Sequence, residues 1–243
     1  MTQKVAIVTG ASSGIGAAIA KRLAADGNAV IVNYAGNAAE ADKVVAEITA
    51  AGGTARAVRA DVGDSAAVAG LFDAAEAEFG GVDILVNNAG RAVRKPLAEF
   101  TDADFDAVVR TNLYGAFHAM REAANRLREG GRIVNISMSF QGAPIPGYGV
   151  YFGSKAAIEQ LTAVAAKELG AKRITVNAVR PGPTRTPLFM AGKSAEVIAH
   201  FEQQIALGRL GEPEDVAGVV SFLTGPEGEW INGQSFAANG GYW

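Results

Sequence analysis

Short apolar runs rich in valine and isoleucine alternate along the chain with longer stretches in which apolar residues recur every three or four positions. Val5 to Val8, Ala29 to Val32, Ala55 to Ala60, Val82 to Val86, Ile133 to Ile136 and Ile174 to Val179 are of the first kind, and a last run covers Gln234 to Ala237. Runs without polar alternation predict strands buried on both faces. Between them Ile15, Ile19 and Leu23 repeat at helical spacing, as do Val44 and Ile48, then Val68, Leu71 and Phe72. Residues 102 to 128 read as one long helix and 151 to 170 as another. Alternation of strand and helix predicts a parallel sheet, and right-handed crossovers then place helices on both of its faces. The expected architecture is α/β: one domain over 1–243 built on a doubly wound, seven-stranded parallel sheet.

Composition narrows the class without changing that picture. With 243 residues, 49% of them hydrophobic, the chain can bury one large core, and no linker or internal repeat divides it. A formal net charge of −3 with scattered basic residues leaves no electrostatic footprint for nucleic acid. The chain has no cysteine, which excludes disulfides, thiolate metal sites and cysteine nucleophiles and fits a reducing compartment. Residues 5 to 20 and 133 to 154 lack charge, but Thr9, Gly10, Ser12, Ser13, Gly14 and Gly16 interrupt the first, and Pro144, Pro146 and four glycines the second. Neither suits a signal peptide or a membrane span, so a soluble, cytoplasmic protein is expected.

The candidate chemistry lies at the ends of the predicted strands. Gly10, Gly14 and Gly16, in the run Thr9 to Gly16, follow the first strand and open the first helix. Backbone N–H groups and the helix dipole at such a turn suit a pyrophosphate. The spacing departs from G-x-G-x-x-G, and glycines also serve tight turns and close packing alone. Tyr151 and Lys155, four residues apart, share one helix face. A nearby ammonium favours a phenolate, so the Tyr151 pKa is expected to fall, making the phenol a proton donor or acceptor near neutral pH. The plain alternative is an i,i+4 surface pair. Ser139 and Ser137 precede Tyr151 by twelve and fourteen residues and, by strand alternation, project the same way. His118 and His200, the only histidines, read as separate helix residues, and no metal site is visible. Arg180 and Arg185 flank the Pro181-Gly182 turn, where they suit either an anionic group or local carboxylates. Arg91 to Lys95, Gln141 to Tyr148 and Pro187 to Leu207 are expected to line a pocket, the last as an apolar lid carrying Leu188, Phe189, Met190, Val197, Ile198 and Phe201.

Taken in order, these motifs resemble those of the short-chain dehydrogenase/reductase superfamily, whose fold is of Rossmann type. Thr9 to Gly16 is similar to its TGxxxGxG motif, Asn87-Asn88-Ala89-Gly90 to its NNAG motif, and Pro181-Gly182 to the turn that meets the nicotinamide. Asn112, Ser139, Tyr151 and Lys155 match its catalytic set. The segment from Gly131 to Ser137 most resembles the 3-oxoacyl-carrier-protein reductase and bacterial ketoreductase branch. The resemblance implies hydride transfer between a nicotinamide and a carbonyl carbon. Tyr151 would be the acid, Lys155 would hold the nicotinamide ribose, Ser139 would bind the carbonyl oxygen, and Asn112 would hold a water leading to Lys155. It implies a cofactor site made by Gly10, Ser12, Ser13, Gly14, Ile15, Gly16, Asn33, Tyr34, Asn37, Asp61, Val62, Asn88, Ala89, Gly90, Tyr151, Lys155, Pro181, Gly182, Thr184 and Thr186.

The expected cofactor is NADP(H), with NAD(H) as the alternative. An NAD site carries Asp or Glu about twenty residues past the glycine turn. Here that place holds Asn33 and Tyr34, no acid occurs before Glu40, and Ser12, Ser13, Asn33 and Asn37 offer neutral donors. The substrate would be a small-molecule ketone or alcohol with hydrophobic substituents, an acyl-carrier-protein thioester being the rival, with Arg128, Lys172 and Arg173 as docking cations or simply a solvated charged surface. A homotetramer is expected from the resemblance and from the apolar end Phe236, Tyr242 and Trp243. A non-catalytic dinucleotide sensor is the reading from another class; it has no need of all four residues Asn112, Ser139, Tyr151 and Lys155.

Overall fold

The computed structural model describes residues 3–139 and 145–242. Seven parallel strands, β1 (Val5–Val8), β2 (Ala29–Tyr34), β3 (Thr54–Arg59), β4 (Val82–Asn87), β5 (Leu127–Ile136), β6 (Thr175–Pro181) and β7 (Ser235–Ala238), form one sheet in the order β3-β2-β1-β4-β5-β6-β7. Strand order reverses between β1 and β4, which opens a crevice at their carboxyl ends.

Residue parity along the strands builds two cores. Ala6, Val8, Val30, Val32, Ile84, Val86 and Val134 face α1 (Gly14–Ala25), α2 (Ala38–Ala50) and α9 (Pro213–Thr224). Val5, Ile7, Ile31, Leu85, Ile133 and Val176 face α3 (Ser65–Phe79), α5 (Gly115–Arg126) and α6 (Gly149–Glu168). Period-two alternation with apolar residues in both sets is why these runs read as unbroken hydrophobic stretches.

Two elements differ from the pattern-based expectation. The long helix is α4 (Asp102–Val109), a π-helical turn over Arg110–Tyr114, and then α5, ending at Arg126 and not at 128. Thr101 and Asp104 cap its start reciprocally. Strand β5 begins at Leu127, earlier than its apolar run, because Leu127 pairs with Val82; the register then shifts, and regular pairing resumes at Arg132 opposite Ile84. The intervening charged and glycine residues hide that first pair from a hydrophobic pattern. The structure also adds α9, whose start is marked by Pro213 in its first turn and by Asp215 accepting from the Glu212 N–H at 2.8 Å. Helices α7 (Pro187–Met190) and α8 (Ala195–Gln204) occupy the segment for which a lid was expected.

A polar thread crosses the core beneath the crevice. Asn87 Nδ2 donates to Asn135 Oδ1 at 2.8 Å, and Asn135 Nδ2 donates to Thr162 Oγ1 at 2.8 Å, joining β4, β5 and α6. Asn135 is fully buried, so its partners have no water to replace it. Asn135→Ala is expected to destabilise the fold by about 3 kcal/mol, because the Asn87 donor and the Thr162 hydroxyl both lose a partner. Urea denaturation checks this, with the midpoint moving at constant m-value.

Candidate active site

The carboxyl ends of β1, β4, β5 and β6 border a cleft of about 530 Å³. One end is made by the glycine turn. Gly10 has φ +60°, and a methyl group there would lie 2.9 Å from Ala89 Cα; one at Gly16 would lie 2.4 Å from both Asn88 Nδ2 and Gly10 O. Only hydrogen fits at either place, which leaves the backbone at the start of α1 open to a ligand. Thr9 Oγ1 accepts from the N–H groups of Asn88 and Ala89 at 2.9 and 3.1 Å, and Asn88 Nδ2 donates to the carbonyls of Thr9 and Gly10. The turn after β1 and the motif after β4 are thus one hydrogen-bonded unit.

Of the expected dinucleotide residues, Gly10, Ser12, Ser13, Gly14, Ile15, Gly16, Asp61, Val62, Asn88, Ala89, Gly90, Pro181, Gly182, Thr184 and Thr186 all line this cleft. Three others differ in place or in the work their side chains do. Asn33 reaches the cleft, but its amide is spent: Oδ1 accepts from Gly10 N at 3.2 Å and Nδ2 donates to the Val58 and Ala60 carbonyls, so it struts the turn and has no donor left for a phosphate. Tyr34 follows Val30 and Val32 by strand parity onto the α1/α2 core. Asn37 caps α2, accepting from Glu40 N at 3.3 Å, and does not line the cleft. Ala35 and Gly36 line it instead. Arg59, at the end of β3, donates from Nε to the Ala35 carbonyl at 3.1 Å. That exposed guanidinium stands beside a turn with no acid of its own, and strand pairing between β2 and β3 is what brings it there.

At the other end lie Ser139, Tyr151 and Lys155, all lining the cleft. Lys155 Nζ is buried and donates to the Ile136 carbonyl at 2.7 Å, and no described carboxylate pairs with it. A methyl group on Gly90 would lie 3.5 Å from Lys155 Nζ and 3.7 Å from Asn112 Oδ1, so these three residues converge. The two serines part company despite shared parity. Ser137 Oγ donates to Glu159 Oε1 at 2.7 Å, and Glu159 also accepts from Ser235 Oγ at 2.9 Å, whereas Ser139 Oγ donates only to the Arg180 carbonyl at 2.9 Å.

Asn112 is buried in the π-helical turn, outside the cleft wall. Its Oδ1 accepts from Arg91 N at 2.7 Å, and its Nδ2 donates to Arg91 O and to Ser154 Oγ. Both donors and one acceptor position are taken, so the side chain straps the Gly90-Arg91 segment to α6 and has little left with which to hold a water. The extra residue of a π turn sets the side chain inward.

The expected fall in the Tyr151 pKa is not found in this chain. Burial pushes the phenol up, to about 12, with Tyr148 adding to the rise. Burial likewise pushes Lys155 down to about 8. The reason is desolvation: Lys155 is buried with its ammonium turned toward the Ile136 carbonyl, and Tyr151 is half-buried in the cleft wall among neighbouring side chains.

Leu188, Phe189 and Phe201 of α7 and α8, with Ile145, Tyr148 and Phe152, supply apolar lining to the cleft, while Met190, Val197 and Ile198 do not line it. Residues 141 to 144 of the expected lining lie outside the described residues. Arg185 pairs with Glu202 and Glu212. His118 contacts the Val62 carbonyl and His200 the Gln204 amide, each on its own helix. Sequence reasoning did not single out Arg59, Met138 or Lys193; Arg59 had no signal, because only the sheet places it beside Ala35.

A glycine turn opening α1, a crevice at the reversal of strand order and a serine, tyrosine and lysine at its far end define a dinucleotide-binding oxidoreductase. The chain matches the enoyl-(acyl carrier protein) reductase family over residues 10–243. It is 45% identical over 248 residues to a short-chain type dehydrogenase/reductase of Picea abies, covering 98% of this chain and 92% of the relative. It is 43% identical over 253 residues to the NADPH-dependent aldehyde reductase-like protein, chloroplastic, of Arabidopsis thaliana, covering 98% and 94%. A short-chain dehydrogenase of Burkholderia cenocepacia J2315, solved in complex with NADP, superposes with a TM-score of 0.94 at 43% identity, covering 99% of this chain and 98% of that one. The chain belongs to the short-chain dehydrogenase/reductase superfamily, and it is an NAD(P)-dependent oxidoreductase.

The buried lysine makes a stability prediction. The folded chain releases the Lys155 proton near 8, the unfolded chain near 10.5. Between those values the folded state binds fewer protons, so stability rises with pH through that window, and the charged lysine is a cost at neutral pH. Lys155→Met is therefore expected to raise unfolding free energy at pH 7 by about 2 kcal/mol after allowing for the lost bond to Ile136, while abolishing activity. Denaturant titration of the unliganded protein checks the sign.

Proposed function

We propose that the protein is an NADPH-dependent carbonyl reductase that interconverts ketones and secondary alcohols. The observation that carries this reading is the placement of Ser139, Tyr151 and Lys155 together at the apolar end of the cleft whose other end is the glycine turn. NADP(H) is the cofactor. Its pyrophosphate fits the backbone at the start of α1, and the turn after β2 offers no carboxylate to repel a 2′-phosphate, with the Arg59 guanidinium beside it. When bound, the cofactor supplies the hydride.

The chain's own residues hold the carbonyl and move the proton. Ser137 is held by the Glu159 carboxylate, whereas Ser139 donates only to the Arg180 carbonyl; turning that hydrogen away from Arg180 lets its hydroxyl donate to the substrate carbonyl oxygen. Tyr151, kept protonated by burial across the whole neutral range, donates to that oxygen. Lys155 supplies the positive charge that stabilises the phenolate left behind and binds the ribose hydroxyls. Asn112 is a positioning residue, fixing the Arg91 backbone and Ser154 around the lysine.

The apolar cleft wall suits a ketone with bulky or aromatic substituents. A 3-oxoacyl-carrier-protein thioester has less support: Arg128 is paired with Asp83, Arg173 with Glu129, and Lys172 donates to the Ala124 carbonyl. A non-catalytic sensor has no use for the catalytic set. We also propose one domain, a homotetramer and a cytoplasmic setting. The apolar C-terminal end does not support the tetramer as expected, since Phe236 packs on the core and Tyr242 approaches Phe201, with Trp243 outside the described residues. The support lies elsewhere, in exposed Phe105, Tyr114, Phe117 and Val164 on α4 to α6 and in Phe222 and Trp230. The lack of cysteine supports the compartment; no helix among the described residues is long and apolar enough to cross a membrane.

NADPH oxidation with an aryl ketone tests the reaction. Tyr151→Phe is expected to lower kcat about a thousandfold with NADPH affinity nearly unchanged; a variant keeping a tenth of the activity would remove Tyr151 as the acid. For the cofactor, Arg59→Gln should raise the KM for NADPH by about tenfold and leave that for NADH within twofold, read by initial rates with each dinucleotide.

A further inference from the structure

We propose that the carbonyl substrate carries a negative charge, a carboxylate or an equivalent anion, received at the mouth of the cleft by Arg94 and Lys193. The proposal rests on the reductase reading and names its substrate class. Arg94 follows β4, and its guanidinium carbon stands 5.5 Å from the centroid of the Tyr148 ring. That ring is 6.2 Å from the ring of Tyr151. Lys193 lies in the turn between α7 and α8; its Nζ sits 4.3 Å from the centroid of Phe189 and donates to the Phe189 carbonyl. Tyr148, Phe189 and Lys193 all line the cleft.

Lys95 and Arg185 nearby are neutralised, whereas Arg94 and Lys193, like exposed Arg91, are not. Lys95 pairs with Asp104 at 2.6 Å and Arg185 with two glutamates. Among the described residues Arg94 and Lys193 have no carboxylate partner, and their contacts with the protein are aromatic faces and one carbonyl. Burial and the Arg94 guanidinium together hold the Lys193 ammonium below its ordinary range, so the two charges sense each other across the opening. Like charges gathered at an apolar cleft raise the local concentration of an anion and are relieved by it. Between them and the reacting carbonyl the walls are aromatic, through Tyr148, Phe152 and Phe189. The ligand that fits is an apolar or aromatic carbonyl compound with its anionic group at the end remote from the carbonyl.

The test compares 4-acetylbenzoate with its methyl ester in wild type and in Arg94→Gln/Lys193→Gln. Arg94 is exposed and Lys193 lies on a surface turn, so the double variant should fold. Wild type is expected to favour the acid at least about tenfold in kcat/KM, and the double variant to bring that ratio to within about twofold, chiefly through KM, with the KM for NADPH unchanged. An equal or higher kcat/KM for the ester in wild type, or a ratio the variant leaves alone, overturns the proposal. So does a change in NADPH KM alone, which would assign the cations to the cofactor. If no ketone, charged or neutral, is turned over, the reductase reading has failed on its own. Fluorescence titration of the NADPH complex with benzoate and benzamide then decides the cations: benzoate binding that the variant weakens about tenfold sustains them, and equal binding of both probes overturns them.

Discussion

Lys155 is a cation in the protein interior with one carbonyl for company, and the geometry of the candidate active site follows from how that is tolerated. The ammonium needs oxygen partners and finds Ile136 O at the end of β5. Gly90 lies within contact distance of both the lysine and Asn112, and Asn112, turned inward in the π-helical turn, straps Arg91 and Ser154 around them. Burial disfavours the charge, which is the condition under which a ligand's hydroxyls and a developing phenolate are most welcome. The same burial keeps Tyr151 protonated, so the chain alone presents an acid and a weakened base side by side.

The sheet holds the two halves of the cleft in register. Thr9 and Asn88 lock the turn after β1 to the end of β4, and Asn87, Asn135 and Thr162 lock β4 to β5 and α6 beneath it. The dinucleotide end and the catalytic end are therefore joined by buried hydrogen bonds and not only by apolar packing. Glu159, accepting from Ser137 and Ser235, continues the lock to β7 and leaves Ser139 as the serine without a side-chain partner.

Charge is distributed in the cleft by exception. At the adenine-ribose turn the notable feature is a missing acid, matched by Arg59 from the neighbouring strand. Near the mouth it is that Arg94 and Lys193 have no carboxylate partner among the described residues, while Lys95 and Arg185 are neutralised. Both features concern groups that water would otherwise screen, and both gain strength where a ligand excludes water.

Sequence alone determined the class of fold, because residues alternating between two apolar sides must be covered on both, and it determined the family, because glycines, Tyr151 and Lys155 stand at positions where local geometry needs those residue types. It located Asn112, Ser139, Tyr151 and Lys155 without their environments. Tertiary structure decided what each can do. The fall in the Tyr151 pKa was argued from helix spacing, which knows the neighbour and not the burial. Asn33, Tyr34 and Asn37 looked alike as polar residues after a strand, yet parity and capping took all three for structural work. Parity could not separate Ser137 from Ser139, whereas Glu159, distant in sequence, gives them different hydrogen-bond partners. Arg59 and the pairing of Arg94 with Lys193 join segments distant in sequence, and only packing sets the distances on which electrostatic interaction depends.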